Sequence, residues 1–186
     1  MRVGLPVIEA GMVIGIINLK TKKVSVEGST SIKFACASTA ECCSNLKIPV
    51  TDFDIKRIED QGYGIDQIVE SLSPELRLPK TESGNIEKNY WMKRNPFSNT
   101  CTFLEDNLCK IHEFKPFGCS VFPFSLKYES MDLVSIKIHP SNLCKTISVS
   151  LPEEADNKKH LNILLAAILE EEAFRAQYFE KYGFDL

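Results

Sequence analysis

The sequence predicts a small, cysteine-rich α+β domain spanning residues 1–186. Three observations support this fold class. The length of 186 residues suits one domain, and an apolar fraction of 44% is enough to build a core. Segments rich in β-branched residues also alternate along the chain with segments of helical periodicity. We therefore expect β-hairpins, an irregular centre and packed helices, including a long C-terminal helix.

Residues 12–33 predict the first strands. β-Branched residues dominate two stretches, around Val13–Ile17 and Val24–Val26. The turn-prone segment 20–23 separates them, which is typical of a β-hairpin.

Two helices are predicted next. Thr51 and Asp54 form a capping-box-like start, apolar residues follow, and Gly62 ends this helix. A second helix should follow at once, because its apolar residues recur with spacings of three and four until Ser73-Pro74: Ile65, Ile68, Val69 and Leu72.

Residues 73–100 are polar and interrupted by prolines, which predicts an irregular segment with one strand around Tyr90-Trp91-Met92. Trp91 is expected to be a buried or half-buried anchor. Two strands then follow, Phe122–Lys127 and Leu133–Ile138.

The chain is predicted to close with a long helix over residues 150–182. Ser150 and Glu153 form a capping box, and Gly183 follows as a stop. The first half of the helix is apolar on nearly every face, which predicts deep packing or contact with a partner.

Charge and hydropathy narrow the range of partners and compartments. The formal net charge is −3, and no run of Lys or Arg is present. This balance argues against nucleic-acid and membrane-surface binding. The N-terminus does not resemble a signal peptide, and the apolar stretches are too short to span a bilayer, so we expect a cytoplasmic protein.

Seven cysteines carry the chemical information. In a reducing compartment, such a set indicates metal binding or redox chemistry rather than a disulfide framework. Thiolates are soft ligands that suit zinc and iron–sulfur clusters, and ligands close in sequence reduce the chain entropy lost when a site closes. The candidate metal ligands are Cys36, Cys42, Cys43, Cys101, Cys109, Cys119 and Cys144.

The spacing leaves the number of metals open. The paired C-x-x-C knuckles of a zinc ribbon are absent, and seven thiolates do not divide into four-ligand sites. Cys42 and Cys43 on an extended segment would point to opposite faces, which favours two metals or two irons of one cluster. His112 and His139 could complete a site, whereas His160 is expected to be structural.

The run C-x-F-L-x4-C-x-I-x3-K-P-x-x-C-x-x-F-P, from Cys101 to Pro123, together with the upstream F-x-C-x5-C-C, resembles the YkgJ-type cysteine-cluster family. The resemblance covers most of the chain and places the cysteine-cluster region at residues 32–146. It implies chelation of zinc or iron by the seven cysteines. Thr39 stands where the family has its second cysteine, and Lys115 where an arginine is more usual.

Three functions follow from these observations. The first is a metal-binding protein in which zinc or an iron–sulfur cluster joins the cysteine blocks. The second is an iron–sulfur enzyme, because flagellin lysine N-methylases have a related cysteine motif; the chain, however, lacks a C-x3-C-x2-C triad, a G-x-G-x-x-G motif and a P-loop. The third is a metal-free redox switch at Cys42-Cys43. The sequence does not identify a protein partner.

Overall fold

A computed structural model describes residues 11–28, 31–35, 40–76, 88–139, 143–144, 146–150 and 154–182. Within these residues the chain is α+β, as predicted. The strands are β1 (Val13–Asn18), β2 (Lys23–Val26), β3 (Ser31–Phe34), β4 (Pro49–Thr51), β5 (Glu75–Leu76), β6 (Lys88–Trp91), β7 (Leu104–Glu105), β8 (Leu108–Cys109), β9 (Phe124–Tyr128), β10 (Leu133–Ile138) and β11 (Ile147–Ser150). The helices are α1 (Glu41–Asn45), α2 (Asp52–Glu59), α3 (Ile65–Ile68), α4 (Phe117–Val121) and α5 (Glu154–Tyr182), with a 3-10 turn at His112–Phe114.

The chain divides into two compact units. The first unit comprises Met1–Ala37 and Val121–Glu170, and the second comprises Ser38–Ser120 and Glu171–Leu186. Helix α5 therefore contributes its first part to one unit and its last part to the other.

The first unit contains a four-stranded antiparallel sheet in the order β2-β1-β10-β9. The hairpin of β1 and β2 is the one predicted, and Ile17 lies opposite Val24 on one side and Val134 on the other. Ile17, Val134 and Ile136 are fully buried because alternate residues of these strands face the core. A separate ribbon pairs β3 with β11.

Gly15 allows β1 to lie close to its neighbours. A Cβ at this position would lie 2.4 Å from Leu161 Cδ1 and 2.5 Å from the Ser25 carbonyl oxygen. The second of these atoms is backbone and cannot turn away, so only glycine fits here without a shift of the sheet.

Helix α5 is buried on one face only. Its apolar residues Leu161, Leu164, Leu165 and Ile168 are buried, whereas Ile163 is 56% exposed. The prediction of deep packing is thus confirmed for one face. Ser150, the predicted first residue of this helix, is instead the last residue of β11, and α5 is described from Glu154. Glu153 and Gly183 lie outside the described residues.

His160 is structural, as predicted. Its Nε2 is 3.1 Å from the Ile32 carbonyl oxygen, and its ring packs against the rings of Phe34 and Phe124. On the same face of α5, the Ile32 amide donates to Asn157 Oδ1 at 2.8 Å. These two hydrogen bonds attach β3 to α5.

The second unit is built from short elements around a compact apolar core. Its sheet has the order β4-β6-β5, and β7 and β8 form a two-stranded hairpin. The predicted capping box of α2 is confirmed: Thr51 Oγ1 accepts from the Asp54 amide, and Asp54 Oδ2 accepts from the Thr51 amide. The core includes Val50, Ile55, Ile58, Ile68, Val69, Met92, Phe103 and Ile111.

Trp91 lies on β6, the strand predicted in this region, and is half-buried. Its ring lies beneath the Lys47 ammonium group, 5.7 Å from the ring centroid. The expected anchoring role agrees with this burial.

The second predicted helix is much shorter than expected. It ends at Ile68 because Val69 adopts an extended conformation and forms a bridge with Met92, and the Glu70 amide donates to the Trp91 carbonyl. Leu72, predicted to lie on the buried face, is 66% exposed. Pairing with a distant segment overrides the local periodicity here.

The predicted strand Phe122–Lys127 begins at Phe124, because α4 occupies the residues up to Val121. In the part of the chain that is described, no helix combines the length and apolarity needed to cross a membrane.

Candidate metal centre

Five of the seven candidate cysteines belong to the second unit: Cys42, Cys43, Cys101, Cys109 and Cys119. Cys144 is buried in the first unit, where its Sγ lies 3.1 Å from Thr146 Oγ1. Cys36 and Thr39 lie outside the described residues. The five thiols of the second unit therefore make up the described candidate site.

Helix α1 places two of these thiols side by side. Cys42 and Cys43 lie on this five-residue helix, and their Sγ atoms are 4.0 Å apart. Two thiolates on one tetrahedral zinc lie about 3.8 Å apart. The expectation that the two thiols point to opposite faces is thus wrong, because the segment is helical rather than extended.

Backbone hydrogen bonds bring the central cysteine segment to α1. The Cys101 amide donates to the Cys43 carbonyl at 2.8 Å, and Cys101 forms a β-bridge with Arg94. The hairpin of β7 and β8 then folds the chain back, since Cys109 lies opposite Leu104, whose amide donates to the Cys101 carbonyl. Cys43 and Cys109 pack against the same apolar core that contains Cys101.

Cys119 lies on the short helix α4, whose start is held by Asp54. The Phe117 amide donates to Asp54 Oδ1 at 2.8 Å. Arg57 contacts Asp54 and Glu171 and also donates to the Lys115 carbonyl at 3.4 Å. Helix α2 therefore fixes both ends of the segment that precedes Cys119.

The thiols influence one another electrostatically. The hydrogen bond to Cys43 lowers the pKa of Cys42 to about 6, and the same bond, together with burial, raises the pKa of Cys43. Burial raises the pKa of Cys119, and negative charge on Cys101 or Cys42 raises it further. Groups of like charge disfavour one another's ionisation in this way only when they are close.

Burial and neighbouring negative charge also shift the pKa values of the remaining two thiols, Cys101 and Cys109. Burial is the main cause that raises the pKa of Cys101 and of Cys109, and neighbouring thiolates add to it. The positive charges of Arg94, near Cys101, and Lys115, near Cys109, act in the opposite direction. Without a cation among them, ionisation of all five thiols is energetically unfavourable.

The donor set has the right chemistry for zinc or iron, because all five groups are soft sulfur ligands. Within the described ranges, however, no three His, Cys, Asp or Glu side chains converge closely enough to hold a metal ion as they stand. The five thiols lie in one unit but do not form a closed ligand shell. A metal would have to draw them together.

The histidines suggested as completing ligands lie in different units. His112 is exposed on the 3-10 turn of the second unit, and His139 stacks on Phe122 in the first, with ring centroids 5.6 Å apart. Ligation by either one stays a prediction.

Sequence reasoning missed the groups that position the cysteines. The capping box identified Asp54 as a helix cap, but nothing in the pattern indicated that its second oxygen accepts from Phe117. Arg94 carried no signal at all. It hydrogen-bonds the carbonyls of Ser44 and Leu46, some fifty residues earlier in the chain.

The fold and the neighbouring thiols define a cysteine-cluster protein. The chain belongs to the CxxCxxCC family, described as a "putative zinc- or iron-chelating domain", whose model matches residues 35–145. The predicted family resemblance is thereby confirmed, and the family description supports metal binding.

One similar protein is an uncharacterized protein of Methanocaldococcus jannaschii. The two are 31% identical over 134 residues, a match covering 67% of this chain. The matched region spans only 42% of that relative's length. No solved structure matches the chain at a significant level.

Proposed function

We propose that the chain binds zinc or an iron–sulfur cluster through Cys42, Cys43, Cys101, Cys109 and Cys119. The observation that carries this proposal is the gathering of five thiols from three separate segments within one unit. Cys36 and Cys144 are proposed as further ligands on the family resemblance, and Thr39 reduces the ligand count by one.

The metal would supply positive charge where the thiols now disfavour one another's ionisation. Thiolates bind metal only after losing their protons, so binding would release protons and couple to folding. The chain's own contribution is to hold α1, the β7–β8 hairpin and α4 next to each other. Such a site suits a structural, redox or trafficking role.

Metal and acid-labile sulfide content, measured on protein purified without oxygen, tests the proposal. Iron with equal sulfide and a visible chromophore supports a cluster. Colourless protein with zinc in a fixed ratio supports a zinc site closed by thiolates. Neither metal at a useful ratio, in protein whose thiols are reduced, would overturn the proposal.

Variants assign the ligands. Cys101→Ser and Cys119→Ser should lose metal, and Ser120→Ala is the matched control because its side chain lies next to Cys119 yet is exposed. Retention of the full metal content by both cysteine variants would exclude the proposed centre. Cys144→Ser decides separately whether the thiol of the first unit takes part.

The iron–sulfur methylase alternative stays a prediction, because neither the family description nor the relative's name mentions a reaction. The same holds for the absence of a nucleic-acid partner and for a cytoplasmic location.

A further inference from the structure

Helix α1 is too short to be stable by itself. It has five residues, whereas isolated helices shorter than about 12–15 residues are marginal in water. Its start offers little help, because the N-cap residue is Ala40, in a left-handed conformation with φ 57°, and no side chain caps it. The helix must therefore be held by contacts with other segments.

Arg94 makes the contacts that hold the far end of α1. Its Nη2 donates to the Ser44 carbonyl at 2.7 Å, and its Nη1 donates to the Leu46 carbonyl. These carbonyls lie at the C-terminal end of α1, where a helix leaves its acceptors unpaired and where a cation is favoured.

The guanidinium is itself fixed in place from the other side. Its Nε donates to Asn99 Oδ1 at 3.0 Å, and Nη2 also donates to the Asn99 carbonyl. The Asn95–Asn99 turn is tied by Asn95 Oδ1, which accepts from the amides of Phe97 and Ser98. Arg94 thus joins a rigid turn just before Cys101 to the end of the helix that carries Cys42 and Cys43.

This arrangement determines whether the adjacent thiols can act together. On α1 the two Sγ atoms are 4.0 Å apart, whereas neighbouring side chains on an extended segment point to opposite faces. If the end of α1 were released, the segment could extend and the pair could no longer bind one metal.

We propose that Arg94 is the positioning residue that makes Cys42 and Cys43 a chelating pair by capping α1 from the segment of Cys101. The inference rests on the proposed metal binding and adds to it the group on which the ligand geometry depends. Arg94 does not touch the metal. Its planar fork serves two carbonyls at the end of α1 at once, which a lysine ammonium cannot reproduce in the same geometry.

The test compares Arg94→Met and Arg94→Lys with Lys93→Met, a neighbouring cation whose Nζ donates instead to the Asp66 carbonyl. Zinc affinity is measured by competition with a chelator. Arg94→Met should bind zinc about 10- to 100-fold more weakly, the range usual for groups that orient a ligand. Arg94→Lys should have a zinc affinity between those of the parent and Arg94→Met, and Lys93→Met should bind zinc as tightly as the parent does. Unchanged affinity in Arg94→Met would overturn the proposal.

A double variant separates positioning from general destabilisation. In a Cys42→Ser background the chelating pair is already broken, so Arg94→Met should add little further loss of affinity. Full additivity of the two losses would count against a positioning role. If Arg94→Met does not fold, the same double-variant comparison is made with Arg94→Lys.

Amide hydrogen exchange on metal-free protein keeps this inference separate from the metal proposal. The amides of Ser44 and Leu46, which donate to the carbonyls of Ala40 and Cys42, should exchange faster in Arg94→Met, while α2 stays protected. If the parent protein bound no metal, the proposed function would fail, but faster exchange would still support the role of Arg94 in holding α1. Equal exchange in parent and variant would refute that role.

Discussion

The two units differ in what stabilises them. Both contain fully buried aliphatic side chains, such as Ile17 in the first and Ile58 in the second, but the strands of the first are four to six residues long. The second is built from strands of two to four residues and helices of four to eight, apart from the end of α5. It nevertheless holds five of the cysteines.

The second unit compensates with polar and ionic links. Arg57 lies between the buried carboxylates of Asp54 and Glu171, over the ring of Phe174, and Arg175 binds the other oxygen of Glu171. Small units built from short elements commonly need a metal, a disulfide or a similar staple. We therefore expect a metal held by the five thiols of the second unit to stabilise that unit selectively.

Metal removal should separate the two units most clearly. In zinc-finger peptides a structural zinc is worth roughly 10–16 kcal/mol, and here the apolar core already supplies part of the stability. We expect chelation under reducing conditions to speed exchange of amides in β4, β6 and α1 by about 100-fold or more. Amides of β1 and β10 serve as the internal control. Equal acceleration in both sets would contradict selective stabilisation.

Arg57→Met should be the most damaging single substitution of the ionic network. It leaves the carboxylates of Asp54 and Glu171 buried without their shared cation, which typically costs about 3–5 kcal/mol. Urea unfolding measures the loss. Lys33→Met removes an exposed cation whose Nζ lies 3.9 Å from Asp156, and it should cost at most about 1 kcal/mol. Similar losses for both variants would argue against a special role for the buried network.

Ile136→Ala should weaken the first unit while sparing metal binding by the five thiols of the second unit. Truncation of a fully buried isoleucine typically costs about 2–5 kcal/mol, because it removes apolar contact and leaves a cavity. Leu133→Ala on the same strand is the control, because that side chain is exposed. A large loss of zinc affinity in Ile136→Ala would show that the two units are not independent in this respect.

Acidification should weaken the first unit by a smaller amount. Burial lowers the pKa of His160 below its ordinary value of 6.5, although the hydrogen bond to Ile32 opposes this. The unfolded chain then binds the proton more readily, so this contribution is complete above pH 6.5 and is lost as the pH falls through the folded-state pKa. His160→Gln should flatten the dependence of unfolding free energy on pH between 7 and 5.

A second histidine must be separated in that experiment. Burial also lowers the pKa of His139, so His139→Gln should flatten the same profile in part. A profile unchanged in the double variant would mean that neither ring carries the effect.

Local patterns predicted the elements that depend on neighbours in sequence. The β1–β2 hairpin and the capping box of Thr51 and Asp54 involve residues a few positions apart, and both were found. The ribbon of β3 and β11 joins segments more than a hundred residues apart, and local periodicity in the sequence does not predict such a pairing. The early end of α3 has the same cause, since Val69 pairs with Met92.

The candidate site likewise combines features that the local sequence predicts with features that depend on distant residues. Cysteine spacing was sufficient to propose a candidate set of ligands, because clustered thiols are themselves the signal, and that set stays a prediction. The distance between Cys42 and Cys43 could not be predicted, because it depends on α1 being helical. The helical conformation of α1 in turn involves hydrogen bonds from Arg94 to backbone carbonyls. Every residue has a backbone carbonyl, so the sequence does not indicate which ones are bound.

Trp91 gives the second unit its own optical signal. It is the single tryptophan of the chain, and it lies on β6 between β4 and β5. Selective excitation at the red edge of the absorption band therefore reports on this unit alone, and its emission should shift to longer wavelength when the ring becomes exposed. An iron–sulfur cluster absorbs in the range of that emission and would quench it, whereas zinc, with a filled d shell, would leave it bright.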